Sequence, residues 1–282
     1  MFAYIMLMVS LLTASPLFPD VILITLDGVR WQEVFQGTDP QRDGGHHLTP
    51  QRLLPNLYNY FVEQGVAVGR DTPIIASGPR FVSLPGYMEI TRGHPSTDCQ
   101  TNSCNPVIDQ SVFDLFNYPA VFSSWSQIKK TVPVGDNIYS DTGKGHYRLD
   151  RDTQLAVKTY LDRHTPDFLW VALGDTDELA HQNNYIKYIT ALRQADDFIG
   201  YLVNRFPNAT IIVATDHGRS LNFKDHDRDT ASQRVWLMMR GLIPNQSLIT
   251  DKVLRLSNIY YIIQETIFNI HNSNLEDSLI WE

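Results

Sequence analysis

Cysteine is scarce in this chain: two residues among 282, Cys99 and Cys104. A cysteine-rich disulfide scaffold is excluded, and so is a zinc site built from four thiolates. Gln100, Thr101, Asn102 and Ser103 separate the pair. So short a loop reads as a local disulfide formed in an oxidising compartment. As a zinc pair it has too long a gap and no further cysteines to complete a site. Positive charge is also in short supply. Lys and Arg number 23 against 31 Asp and Glu, a net charge of −8. That argues against a general binder of nucleic acid, duplexes included, which would carry a basic patch or stripe. A phosphorylated substrate stays compatible, because a bound metal would supply local positive charge. Repeats, low-complexity tracts and a convincing interdomain linker are missing as well. With 43% hydrophobic and 19% charged residues, the chain can bury a core.

The apolar stretch 1–14, MFAYIMLMVSLLTA, is too short to cross a bilayer comfortably. It resembles the hydrophobic region of a secretory signal, with small residues for cleavage at Thr13, Ala14 and Ser15, although a positive n-region is missing. The competing reading, a first strand merging into Val21–Leu26, is interrupted by Pro16 and Pro19. Residues 1–15 are therefore expected to be a signal peptide, with no integral span left after its removal. The expected location is periplasmic or secreted. Asn208 and Asn245 each begin a glycosylation sequon.

Continuous β-branched runs at Val21–Leu26, Phe168–Leu173 and Thr210–Ala214 look like strands buried on both faces of a parallel sheet. Residues 120–122 and 235–238 are weaker strand candidates. Helical spacing runs from 185 to 206, and shorter helices are expected at 53–64 and 153–163. Strands alternating with helices imply an α/β fold, a mostly parallel central sheet with helices on both faces. Stretches 36–50 and 91–109 read as loops.

In such sheets ligands bind beyond the carboxyl ends of the strands. Asp27, Asp175, Asp177 and Asp216 all fall just after strand candidates. His181 lies four residues after Asp177, on the same face of a helical turn, and His217 adjoins Asp216. Carboxylates and imidazoles arriving from several strand ends are how a hydrolytic metal site is commonly built.

Four segments in this order, LITLDGVR (23–30), VSLPGY (82–87), DTDELAH (175–181) and TDHG (215–218), followed by a histidine, resemble the alkaline phosphatase superfamily. Within it the chain looks most like the nucleotide pyrophosphatase/phosphodiesterase branch. The resemblance implies two divalent ions, generally zinc. One would be held by Asp27, Asp216 and His217 with Ser83 as fourth ligand, the other by Asp177, His181 and His226. Ser83 would be the nucleophile and would form a phospho-enzyme that water then hydrolyses. Family members usually carry His-Gly where this chain has His226-Asp227. His164 and His271 suit a ligand role less well.

The expected substrate is a small phosphate ester, nucleotide-like or otherwise, and the expected domain runs over residues 16–282 with a loop or cap insertion around 91–150. Asn102, Asn105, Tyr87 and Asp175 are candidate substrate contacts. Arg30, Arg80, Arg92 and Arg219 are possible phosphate partners, with nothing to choose among them. Trp31, Phe35, Phe81 and Tyr87 could line an aromatic pocket or could be core. A sulfatase would place an arginine four residues beyond the nucleophile, where Tyr87 stands. A phosphonate hydrolase is a further alternative within the fold. A catalytically inactive secreted metal-binding protein is the alternative from another class.

Overall fold

The computed structural model describes residues 19–106, 108–135, 137–242 and 253–279. The expected signal peptide at 1–15 and the sequon at Asn245 lie outside the described residues.

Ten strands run through the described residues: β1 (Val21–Leu26), β2 (Val66–Val68), β3 (Ile74–Ile75), β4 (Ala120–Ser123), β5 (Tyr139–Asp141), β6 (Phe168–Leu173), β7 (Thr210–Ala214), β8 (Arg234–Val235), β9 (Leu237–Arg240) and β10 (Leu254–Arg255). Seven form the central sheet in the order β2-β9-β7-β1-β6-β4-β5. From β7 to β5 every neighbouring pair is parallel. β9 runs antiparallel to both β7 and β2. The remaining three make a small sheet, β10-β3-β8. The chain is thus a mixed α/β fold around a mostly parallel sheet.

β1, β6 and β7 are buried along their whole length, as their β-branched runs predict. The one polar residue within β1, Thr25, accepts a hydrogen bond from Trp170 Nε1 of the adjacent β6 at 3.1 Å. That bond lets a hydroxyl and an indole N–H sit in the core without an unmet polar group. Helix Tyr185–Arg205 supplies Leu192, Ala195, Ile199 and Leu202 to the core on one face of the sheet. Helix Ser83–Arg92 lies on the other face, where Tyr87 and Ile90 join the core that contains Trp170.

Two expected elements differ from the structure. The stretch 235–238 is not one strand: Val235 belongs to β8 in the small sheet, and Leu237 begins β9 in the large one. Trp236 between them is buried and donates its indole N–H to Val29 O at 2.9 Å. Residues 53–64 form short turns, Pro50–Leu53, Pro55–Leu57 and a wider-wound turn Tyr58–Val62. Pro55 cannot continue a helix from Leu53, so the turn restarts there. The Asp196 carboxylate caps that restart by accepting from the backbone N–H of Asn56 and Leu57.

The stretch 91–150 contributes β4 and β5 to the central sheet, and its loops lie above the strand ends. Cys99 and Cys104 are joined by a disulfide in the first of these loops. Among the described residues no helix is long and apolar enough to cross a membrane.

Candidate active site

Because β1, β4, β6 and β7 are parallel, their carboxyl ends share one edge of the sheet. Asp27 follows β1, Trp125 follows β4, Asp177 follows β6, and Asp216 with His217 follow β7. Hydrogen bonds between these turns lock them together. Gly28 N–H donates to Asp216 Oδ1 at 3.1 Å, and Thr176 Oγ1 donates to Asp27 O at 2.7 Å.

Ser83 is the first residue of its helix. That helix reaches the end of β7 through Gly86, where a Cβ would stand 2.5 Å from Asp216 O. Its close approach brings Ser83 Oγ to 3.4 Å from Asp27 Oδ1 and 3.3 Å from His217 Nε2. One turn further along, Tyr87 donates its hydroxyl to Asp27 Oδ2 at 3.0 Å.

Two sets of ligand-type atoms gather here. Asp27, Asp177 and His217 form one, and Asp177, His181 and His226 the other, each with its atoms within 4.8 Å of one another. His181 Nε2 and His226 Nε2 are 3.1 Å apart, and His181 Nε2 is 3.2 Å from Asp177 Oδ2. Asp216 Oδ2 is 3.4 Å from His217 Nε2. The rings of His217 and His226 stack with centroids 3.8 Å apart.

Each of these two imidazoles is oriented by a carbonyl. His217 Nδ1 lies 2.8 Å from Gly218 O, and His226 Nδ1 lies 2.8 Å from Phe81 O. A carbonyl only accepts, so Nδ1 carries the proton and Nε2 turns a lone pair toward the carboxylates. Metal-ligating histidines are commonly held in this way.

The electrostatics are those of a place short of positive charge. Burial, then the charge of Asp177, pushes Asp27 up to about 7. Burial, then Asp27, pushes Asp216 well above the usual carboxylate range. Burial lowers His217 to about 4; burial, then His217, lowers His226 to about 3. Asp177 goes the other way. Burial would raise it, but the His181 hydrogen bond and the Arg219 charge outweigh that and hold it ionised. Asp216 Oδ2 is buried with no hydrogen-bond partner. An orphaned carboxylate oxygen, crowded acids and aimed imidazole lone pairs fit a divalent cation.

A cleft of about 590 Å³ opens above Ser83. Asp27, Asp177 and His181 reach it from the cluster; Trp125, Lys130, His146 and Tyr147 line it as well. Asn102 also lines it and accepts from Leu84 N–H at 2.9 Å, at the start of the Ser83 helix. Asn105 is exposed and does not line the cleft. Tyr87 is buried behind Asp27 with its ring 5.9 Å from that of Trp170, so it faces Asp27 and not the cleft. Asp175 accepts from Tyr147 Oη at 2.6 Å and from Asp150 N–H at 3.2 Å, which places it behind Tyr147.

The four arginines are all paired: Arg30 with Glu33, Arg80 with Asp227, Arg92 with Asp98 and Asp109, and Arg219 with Asp177. The aromatic residues singled out near the motifs are elsewhere. Phe81 and Phe35 pack in the cores, and Trp31 lies under Arg234. The aromatic side chains of the cleft are Trp125 and Tyr147, which motif reading missed. Trp125 is within reach of the strand-end rule, since it follows the 120–122 strand candidate, β4.

Residues 131–236 match the Metalloenzyme superfamily. No curated protein matches the sequence. The fold has solved counterparts. Lipoteichoic acid synthase LtaP from Listeria monocytogenes is 11% identical with a TM-score of 0.57, over 88% of this chain and 72% of that one. Murine ectonucleotide pyrophosphatase/phosphodiesterase 5, solved in complex with AMP, is 10% identical with a TM-score of 0.56, over 88% and 95%. Alkaline phosphatase from the Antarctic bacterium TAB5 is 11% identical with a TM-score of 0.55, over 88% and 97%. At such identities the likeness speaks for the fold, and the superfamily match covers the stretch that carries Asp177, His181, Asp216, His217 and His226. The chain thus has an alkaline phosphatase-like fold, and its residues 131–236 carry the pattern of the Metalloenzyme superfamily.

Proposed function

We propose that this chain is a metal-dependent phosphoric ester hydrolase of the phosphodiesterase-like kind, with Ser83 as nucleophile. One observation supports this most: Ser83 Oγ lies 3.4 Å from Asp27 Oδ1 and 3.3 Å from His217 Nε2, and Ser83 lines the cleft. In this reading Asp27, Asp216, His217 and Ser83 hold one divalent ion, and Asp177, His181 and His226 hold a second, with zinc suited to the mixed nitrogen and oxygen donors. When bound, such ions favour the serine alkoxide and offset the charge of the phosphoryl oxygens.

The protein's own groups do the rest. The helix start fixes Ser83, and its N-terminal dipole favours an anionic phosphoryl group there. Ser83 Oγ attacks phosphorus, the bond to the leaving ester oxygen breaks, and that oxygen departs as an alcohol, its proton balancing the one lost by Ser83. Water then attacks the phosphoryl group on Ser83, the Ser83 Oγ–phosphorus bond breaks, the phosphate monoester (from a diester) leaves and the hydroxyl is restored. Asn102 spends its carbonyl oxygen on Leu84 N–H, which leaves its amide N–H groups for a phosphoryl oxygen. Tyr87 and Tyr147 are supports in this reading, the first for Asp27 and the second as part of the wall.

The second ester group of a diester would rest against Trp125 and Tyr147. A cleft of about 590 Å³ is larger than a phosphoryl group needs, which favours diesters over monoesters. The AMP complex of the murine relative supports a small phosphorylated substrate. Export through residues 1–15 and a periplasmic or secreted location belong to the same reading.

Zinc-reconstituted protein assayed on p-nitrophenyl phosphate and bis-p-nitrophenyl phosphate tests it. The expected result is higher kcat/KM on the diester, and loss of turnover in Ser83→Ala with metal retained. Two bound metals without turnover on either ester would favour the inactive metal-binding protein instead.

A further inference from the structure

Arg219 lies two residues beyond His217 and has no part in the reaction above. Its side chain is buried. Three of its donors meet three acceptors. Nε donates to Phe223 O at 2.5 Å, Nη2 donates to Lys224 O at 2.8 Å, and Nη1 donates to Asp177 Oδ1.

These acceptors come from two separate places. The carbonyls belong to the loop that carries His226; the carboxylate belongs to helix Asp175–His181, which follows β6. One planar guanidinium therefore ties the loop to the helix. Across that tie, His226 Nε2 stands 3.1 Å from His181 Nε2 and 3.7 Å from Asp177 Oδ1.

The surroundings are shaped for it. Phe223 takes a φ of 72°, unusual for a bulky residue, and this turns its carbonyl region to the guanidinium. Its ring is wedged between Tyr185 and Tyr188, at centroid distances of 5.2 and 5.0 Å. On the other side a Cβ at Gly28 would stand 2.6 Å from both Arg219 Nη1 and Asp177 Oδ1. Glycine there leaves room for the pair, and its φ of 61° suits glycine.

We propose that Arg219 is a positioning residue that clamps the His226 loop onto Asp177, so that Asp177, His181 and His226 make one ligand set. This rests on the metal-dependent reading above. The opposing possibility is physical: a buried cation beside the ligands would repel a metal ion, and its removal would then tighten binding.

Zinc stoichiometry by mass spectrometry and zinc affinity by chelator competition, in the full chain, decide between them. Arg219→Lys and Arg219→Met are expected to keep one zinc and to bind the second about 10–100-fold more weakly. Lysine should not rescue, because one ammonium cannot serve three acceptors arranged for a fork. Two zincs at wild-type or tighter affinity in both variants would overturn the proposal. Global unfolding of Arg219→Lys, seen by circular dichroism, would overturn it too, since it would make Arg219 a support of the whole fold. A wild-type chain that takes up no metal would sink the functional reading itself, a result distinguishable from both.

Discussion

The Tyr87 hydroxyl donates to Asp27 Oδ2 at 3.0 Å, while Ser83, one helical turn earlier, points its Oγ at Asp27 Oδ1. One helix face thus addresses both oxygens of a single carboxylate, the proposed nucleophile on one and a fixed donor on the other. Tyr87→Phe removes that donor and keeps the ring against Trp170. We expect roughly a 10-fold loss in metal affinity or kcat/KM, with the melting temperature little changed. Unaltered affinity and rate would show that the Asp27 carboxylate is held without Tyr87.

Trp125 lines the cleft with Ser83 and packs against the cluster of Leu84, Met88 and Cys99. Trp125→Ala should raise KM for bis-p-nitrophenyl phosphate about 5–50-fold, the worth of roughly 1–2 kcal/mol of lost aromatic contact. The KM for p-nitrophenyl phosphate should change far less, because a monoester has no second substituent to lay on that wall. Equal effects on the two esters would remove Trp125 from diester recognition.

Gly86 is helical, and alanine in such a position ordinarily stabilises a helix by about 1 kcal/mol. Here the added methyl would stand 2.5 Å from Asp216 O. Gly86→Ala should therefore destabilise the protein by roughly 1–3 kcal/mol and move Ser83 away from the ligand cluster. Urea unfolding together with turnover measures both effects; a more stable, fully active variant would contradict this packing.

Metal-free protein should lose stability as pH rises. Asp27 is pushed up to about 7 by burial and then Asp177, and Asp150 is pushed up to about 7 by burial and then Asp175. In the unfolded chain aspartates titrate near 4. Between about pH 4 and 7 these aspartates keep protons in the folded state that the unfolded state has released, which favours unfolding as pH increases. His217 and His226, lowered to about 4 and about 3, act the opposite way up to about pH 6.5, where the unfolded histidines lose their protons. After treatment with a chelator, the melting temperature should therefore fall from about pH 6.5 to pH 8. With zinc bound, the Asp27 part of that fall should vanish, since the ion stabilises the carboxylate. A chelated protein that melts higher at pH 8 than at pH 6.5 would contradict this.

Much of the architecture was legible before any coordinates. Val21–Leu26, Phe168–Leu173 and Thr210–Ala214 are apolar on both faces, and only a sheet covered on both sides buries them fully. The motif residues Asp27, Ser83, Asp177, His181, Asp216, His217 and His226 could be proposed as one site because each metal-ligating residue type is short-range information, written in a few adjacent positions. Which groups lie within 4 Å of one another was not. Asn102 and Asn105 are equivalent in composition and nearly so in position, yet only Asn102 lines the cleft. Tyr87 is adjacent to the motif in sequence, yet it sits one helical turn further along than Ser83, buried beneath Asp27 and away from the cleft.

By itself, then, the order of residues determined which strands are buried, where they end and which acids and imidazoles stand at those ends, because all of that follows from periodicity along one segment. Tertiary packing alone decided that the parallel strands bring those ends to a common edge, that Trp125 and Tyr147 wall the cleft, and that Arg219 spans from the His226 loop to Asp177. Such contacts join positions dozens of residues apart, and their geometry is set by how helices and loops fill space around the sheet, which no local pattern encodes.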